Sequence, residues 1–134
     1  MNHKVTEDTK KKSNLLSKKI IGAAIEVHKQ LGPGLLESAY EQALCYELSL
    51  RNIDFESQKH LSADYKGINL DCGYRIDILV DDLVIVELKA VIKMDPLFKA
   101  QLLTYLKLSH LWLRMLLNFN VAIMKHGIKR IVNG

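Results

Sequence analysis

The chain has 134 residues, 49% of them hydrophobic and 25% charged, with 19 Lys and Arg against 15 Asp and Glu and a formal net charge of +4. That is enough apolar sequence for one folded domain with its own core, and it excludes a disordered or fibrous chain. The positive balance suits an acidic partner such as nucleic acid without requiring one.

Residues 1–13 are polar, with Lys10, Lys11 and Lys12 in a row, and read as a flexible basic arm ahead of a single domain over residues 14–134. The opening M-N-H-K-V-T-E-D-T-K is too polar for a secretory leader. The apolar runs fall far short of the roughly 20 residues that a membrane span needs, so a cytoplasmic location is expected. From Asn14 a helical period begins, with Leu16, Ile20, Ala24, Val27 and Leu31 on one stripe. Gly32-Pro33-Gly34 should end that helix. A second helix is predicted over Leu36 to Arg51, with Glu37 and Glu41 beside its apolar stripe and Glu37 within one turn of Tyr40. Between Asn52 and Asp71, Phe55, Leu61, Tyr65 and Ile68 are spaced by polar residues around a Lys66-Gly67 turn signal, which predicts two strands.

Tyr74 to Lys89 then reads as a hairpin, Y-R-I-D-I-L-V-D-D-L-V-I-V-E-L-K, turning near Asp81-Asp82. Residues two apart on a strand share a side, so Glu87 and Lys89 lie with Ile85 while Val84, Val86 and Leu88 line the other face. A charge on such a doubly buried strand is costly unless it is paired or holds a metal. Two readings stand at this point, a Glu-Lys pair where the strand reaches solvent and a functional pair. Asp95 as N-cap and Pro96 as first residue predict a third helix to Ser109, on which Gln101 and Tyr105 share one face. Leu111 to Phe119 reads as a buried strand, with Trp112 in the core, and Gly127 to Val132 as a short final one with Lys129 and Arg130 exposed.

Four motifs in this order resemble a known family. Gly34-Leu35-Leu36-Glu37-Ser38-Ala39-Tyr40 lies within the phrase E-V-H-K-Q-L-G-P-G-L-L-E, followed by Asp77, then Glu87-Leu88-Lys89, then Gln101-x-x-x-Tyr105. The chain resembles the GxxExxY family, a branch of the PD-(D/E)XK nuclease superfamily, over roughly Leu15 to Val132. The last motif is similar to the one that follows the core in recombination-exonuclease-like members. Ile76 stands before Asp77 where the superfamily name has Pro. Phe98 stands where related sequences often carry His, so that helix is not expected to add a metal ligand.

The resemblance implies an α/β fold, a small mixed sheet flanked by helices with a restriction-endonuclease-like core. It also implies metal-assisted phosphodiester hydrolysis. Mg²⁺, with Mn²⁺ able to substitute, prefers oxygen ligands and keeps several waters, which matches a small set of carboxylates. On this footing Asp77 and Glu87 are the main ligands, with the Leu88 carbonyl as a third, and Glu37 completes that site or helps hold a second ion. Lys89 orients or activates the attacking water or stabilises developing charge, and Gln101 positions phosphate or water. Tyr105 either joins Gln101 at the substrate or packs with its hydroxyl satisfied.

For Asp77 and Glu87 to hold one ion they must share a face of the hairpin. A two-residue turn at Asp81-Asp82 would set Asp77 opposite Val86 and send Glu87 to the other face, so an odd loop or a bulge is required. A three-residue loop with Asp82 left-handed would achieve this.

Other constellations are weaker. His28 is either a ligand or a hydrogen-bonded helix residue, and His60, His110 and His126 show no useful spacing. Cys45 and Cys72 stand alone, which argues against a zinc site or disulfide framework. Gly32 and Gly34 lack the strand before and the Lys-Ser/Thr after that a phosphate loop needs. The leading expectation is therefore a Mg²⁺-dependent nuclease acting on DNA, with RNA as the second choice of substrate. The alternatives are a non-catalytic nucleic-acid- or partner-binding module that keeps the fold, and a metal enzyme acting on another phosphate ester. The oligomeric state stays open, a homodimer included.

Overall fold

The structure, a computed structural model, describes residues 5–93 and 95–133 apart from the side chain of Leu106. Helix α1 spans Glu7–Leu31 and α2 spans Glu37–Leu50. Strands β1 (Phe55–Tyr65), β2 (Ile68–Val80) and β3 (Val84–Lys89) follow, then α3 (Pro96–Ser109), β4 (Leu113–Asn118), a short 3-10 turn over Met124–Gly127 and β5 (Ile128–Val132). The five strands form one sheet in the order β1-β2-β3-β4-β5, antiparallel except for the parallel pair β3-β4. A parallel pair needs a crossover, and α3 supplies it.

Alternate side chains of the sheet feed two cores. Val84, Val86 and Leu88 pack with Ile20, Val27 and Leu44 from α1 and α2. Ile85, Leu79, Ile76 and Leu61 pack on the other side with Tyr105 and Leu108 from α3. The expected small mixed sheet with flanking helices is thus the observed α/β architecture. Among the described residues no helix is long and apolar enough to cross a membrane.

The N-terminal boundary differs from the expectation. Residues 7–13 belong to α1, because the Thr6 hydroxyl accepts a hydrogen bond from the Thr9 N–H and Glu7 and Asp8 sit in the first turn, where the helix dipole favours them. Ser13 is fully buried, and the ammonium of Lys10 lies 5.8 Å from the centre of the Trp112 ring, so this stretch packs rather than trails. The expected arm is left with residues 1–6, of which residues 1–4 lie outside those described.

The Lys66-Gly67 turn is a two-residue connection with both φ positive, at 50° and 86°, the conformation that matches strand twist in tight hairpins. β2 runs unbroken through the Tyr74 region instead of starting there. Its register slips between Leu61 and Ser62, where Cys72 and Gly73 are accommodated as a bulge and the Asp71 carboxylate accepts from the Gly73 N–H at 2.9 Å. At the far edge Gly127 abuts the end of β4. A methyl group on it would fall on the Asn118 carbonyl oxygen and within 3.1 Å of Val121 Cγ2. Gly127→Ala should therefore cost about 3 kcal/mol or more, read as a lowered urea midpoint at unchanged slope. A midpoint equal to the parent's would mean that the turn relaxes freely.

Candidate functional site

The hairpin between β2 and β3 decides which carboxylates meet. Val80 pairs with Val84, so the loop is Asp81, Asp82 and Leu83, an odd number, closed by the Leu83 N–H donating to the Val80 carbonyl at 2.9 Å. Asp82 is left-handed as expected, with φ 53°, and Asp81 is too, with φ 51°. Pairing continues to Ile78 opposite Val86, which places Asp77 opposite Glu87. There the side chain takes over from the ladder, and Asp77 Oδ2 accepts from the Leu88 N–H at 2.9 Å.

Glu87 is buried, with 3% of its surface exposed, and its partner is Arg114 rather than Lys89. This corrects the Glu-Lys reading. From β4, Arg114 Nη2 donates to Glu87 Oε1 at 2.9 Å and to the Tyr74 hydroxyl at 3.0 Å, while Nη1 donates to the Leu102 carbonyl of α3. The guanidinium carbon lies 5.8 Å and 5.9 Å from the ring centres of Tyr74 and Tyr105, which stack 3.8 Å apart. Glu87 is also coupled electrostatically to Asp77 and Tyr74 across the hairpin. Burial first, and Asp77 second, push the Glu87 carboxyl up to about 8 against the opposing pull of Arg114. Burial, then Glu87, likewise raise the Tyr74 hydroxyl well above the ordinary phenol range.

One pleat beyond Glu87, Lys89 opens into a cleft of about 310 Å³ shared with Gln101, Phe98, Lys93 and Asp95. The Lys89 ammonium lies 4.0 Å from the centre of the Phe98 ring. Gln101 is exposed at this cleft, whereas Tyr105, one turn on, is half-buried against Tyr74 and the second core. The packing reading of Tyr105 is the one its surroundings match. The chain leaving β3 is clamped by Asn118, which accepts from the Val91 N–H at 3.2 Å and donates to the Val91 carbonyl at 2.8 Å.

Tyr40 explains how the Gly34-to-Tyr40 segment holds its shape. Its buried hydroxyl donates to the Gly32 carbonyl at 2.6 Å and accepts from the Leu35 N–H at 3.1 Å, and its ring stacks on Phe119 at 4.5 Å. Gly34, with φ 101°, takes a conformation that side chains disfavour. Glu37 emerges exposed in the first turn of α2. It does not join the strand carboxylates in a ligating group. One turn further along, Glu41 is coupled to both, its carboxyl raised by burial first, then by Asp77, with Glu37 adding to the effect and a hydrogen bond from Gln58 opposing it. Among the described residues no three His, Cys, Asp or Glu side chains converge to hold a metal. His28 is not aimed at the site, since its Nε2 pairs with the Val121 carbonyl at 2.8 Å.

Asp77 and Glu87, opposite each other in register, nevertheless offer an all-oxygen donor pair of the kind that suits a hard divalent ion. Arg114, Tyr74, Asn118 and Glu41 were not singled out as site residues from sequence. Arg114 carried a usable signal, a lone charge inside the apolar run L-W-L-R-M-L-L-N-F. The family model of the PD-(D/E)XK nuclease superfamily matches residues 14–131. No curated protein and no solved structure matches the chain.

Proposed function

The chain belongs to the PD-(D/E)XK nuclease superfamily, and from that premise we propose that it is a Mg²⁺-dependent nuclease hydrolysing phosphodiester bonds in DNA rather than RNA. The motif from Gly34 to Tyr40 supports a finer placement in the GxxExxY branch. The observation that carries the functional reading is the register that sets Asp77 opposite Glu87 where β2 and β3 part, with Lys89 one pleat away.

Asp77 and Glu87 would hold Mg²⁺ or Mn²⁺, which supplies neutralisation of the phosphate and acidification of the attacking water. Asp77 keeps its carboxylate oriented through the Leu88 N–H. Lys89, half-buried and lodged over Phe98, presents an ammonium at the cleft, where it orients the water or meets the charge that develops on the phosphate. Gln101 offers an amide at the same cleft to position phosphate or water. Glu41, coupled to Asp77 and to Glu37, would be the place where α2 helps to hold a second ion. The position of Glu37 outside the ligating pair favours the second reading, a binding module without turnover.

Incubation of the purified protein with single- and double-stranded DNA and RNA, with Mg²⁺, with Mn²⁺ and with chelator, separates the two. Metal-dependent cleavage of DNA is the expected result. Binding of nucleic acid without cleavage under every condition would establish the binding module instead.

A further inference from the structure

The cleft beside Lys89 is lined by two chemistries. Lys89, Lys93 and Gln101 bring two ammonium groups and an amide, while Val91, Leu97 and Phe98 bring an apolar surface. The carboxylate that also lines it, Asp95, already accepts from the Leu97 N–H at 2.8 Å, which leaves the two ammonium groups to meet an outside anion. The apolar part stays open to water, and Leu97 keeps 66% of its surface exposed beside the half-buried Phe98. The backbone on either side is pinned. Asn118 ties both polar groups of Val91, the Phe119 N–H donates to the Lys89 carbonyl at 2.9 Å, and the Asp95 cap with Pro96 fixes the start of α3. A wall held in this way keeps its apolar surface available, so a ligand meets it with little further ordering to offset.

We propose that this cleft receives one unpaired nucleotide, its phosphate against Lys89 and Lys93 and its base against Leu97 beside Phe98, so that the protein selects single strands and frayed ends over continuous duplex. The inference rests on the nucleic-acid reading given above and on no bound ion. Its physical basis is the pairing of charge with apolar surface in one small space. Within a duplex the base faces are stacked on their neighbours, and a protein meets phosphates and groove edges only. An unpaired nucleotide offers a phosphate and a free base face together, which is the combination that cationic grooves with apolar or aromatic platforms bind. A volume of about 310 Å³ lies at the small end of ligand sites and suits one such group.

The test is fluorescence anisotropy in chelator, where cleavage does not compete, with a labelled single-stranded DNA and the same strand annealed into a duplex with G·C ends. Wild type should bind the single strand more tightly, by about tenfold or more, the scale of one base contact. Leu97→Ser, at an exposed position and therefore expected to melt with the parent, should lose most of that preference while its duplex affinity stays within about twofold. Leu97→Phe, which offers a ring to the base, should keep the preference or raise it. Lys93→Ala should weaken both DNAs alike and lower the slope of affinity on salt by about one, as loss of a phosphate contact does. Equal binding of the two DNAs by wild type overturns the proposal, and so does a loss in Leu97→Ser that is absent or equal for both. Cleavage in Mn²⁺ distinguishes this failure from that of the nuclease reading. Cleavage of duplex interior at the single-strand rate overturns the proposal and leaves the nuclease intact, whereas selective single-strand binding with no cleavage supports the proposal and removes the nuclease.

Discussion

Asp77→Asn is expected to abolish Mn²⁺ binding, to lower cleavage about a thousandfold, and at the same time to stabilise the metal-free protein at pH 8. The first two follow from losing one of the two proposed carboxylate ligands, a loss of about 4 kcal/mol of transition-state stabilisation or more. The third follows from Glu87. Its carboxyl is raised from 4.5 to about 8 by burial and then by Asp77, so between those values the folded chain binds a proton that the unfolded chain has released. Stability is then full below pH 4.5 and falls as pH rises through 8, with a slope that approaches about 1.4 kcal/mol per pH unit. The groups facing Glu87 are Asp77 and Tyr74 from β2 and Arg114 from β4. In the variant Arg114 remains, the repulsion by Asp77 goes, and the amide oxygen can still accept from the Leu88 N–H, so the slope should flatten without vanishing. Melting curves in chelator at pH 5 and pH 8 measure this. Added Mn²⁺ should raise the wild-type melting temperature more at pH 8 than at pH 5, and should leave Asp77→Asn unmoved at both. Undiminished Mn²⁺ affinity in the variant would remove Asp77 from the metal centre.

What could be read in advance divides along the range of the interactions involved. Local signals held: Asp95-Pro96 starts α3 where its cap and fixed φ require, and Lys66-Gly67 makes the tight turn. Strand parity, which is geometry rather than propensity, demanded an odd loop after Val80, and the loop has three residues. The failures lie where one local signal masked another. Three consecutive lysines resemble a solvated tail, yet Thr6 caps them into α1. The hairpin was expected to begin at Tyr74, but β2 runs through it and absorbs Cys72 and Gly73 as a bulge. Tertiary pairings had no local signal. Arg114 is 27 residues from Glu87, and nothing near either one announces the other. The coupling of Glu41 to Asp77 depends on how α2 lies on the sheet.

Lys89→Ala should separate chemistry from binding. The ammonium is carried on the face of β3 that bears Glu87, yet it pairs with neither carboxylate within salt-bridge distance among the described contacts and is lodged instead on the Phe98 ring at the cleft shared with Gln101. A group held in this way contributes to stability through a single cation–π contact, so the variant should lose only about 1 kcal/mol of folding free energy. Mn²⁺ affinity should change little, since Asp77 and Glu87 are untouched. Turnover under single-turnover conditions should fall by about 10²–10⁴-fold, the range for a positioned group that moves or stabilises charge in the transition state. Phe98→Leu supplies the comparison, because it keeps the ammonium but removes the ring that places it, and its loss should stay below about tenfold, the equivalent of one weakened contact. Cleavage by Lys89→Ala at the wild-type rate would exclude Lys89 from the reaction and leave it to the metal centre and Gln101. Joint loss of metal and nucleic-acid binding would instead mark Lys89 as a residue that shapes the site, because a group acting only in the transition state leaves ground-state binding intact.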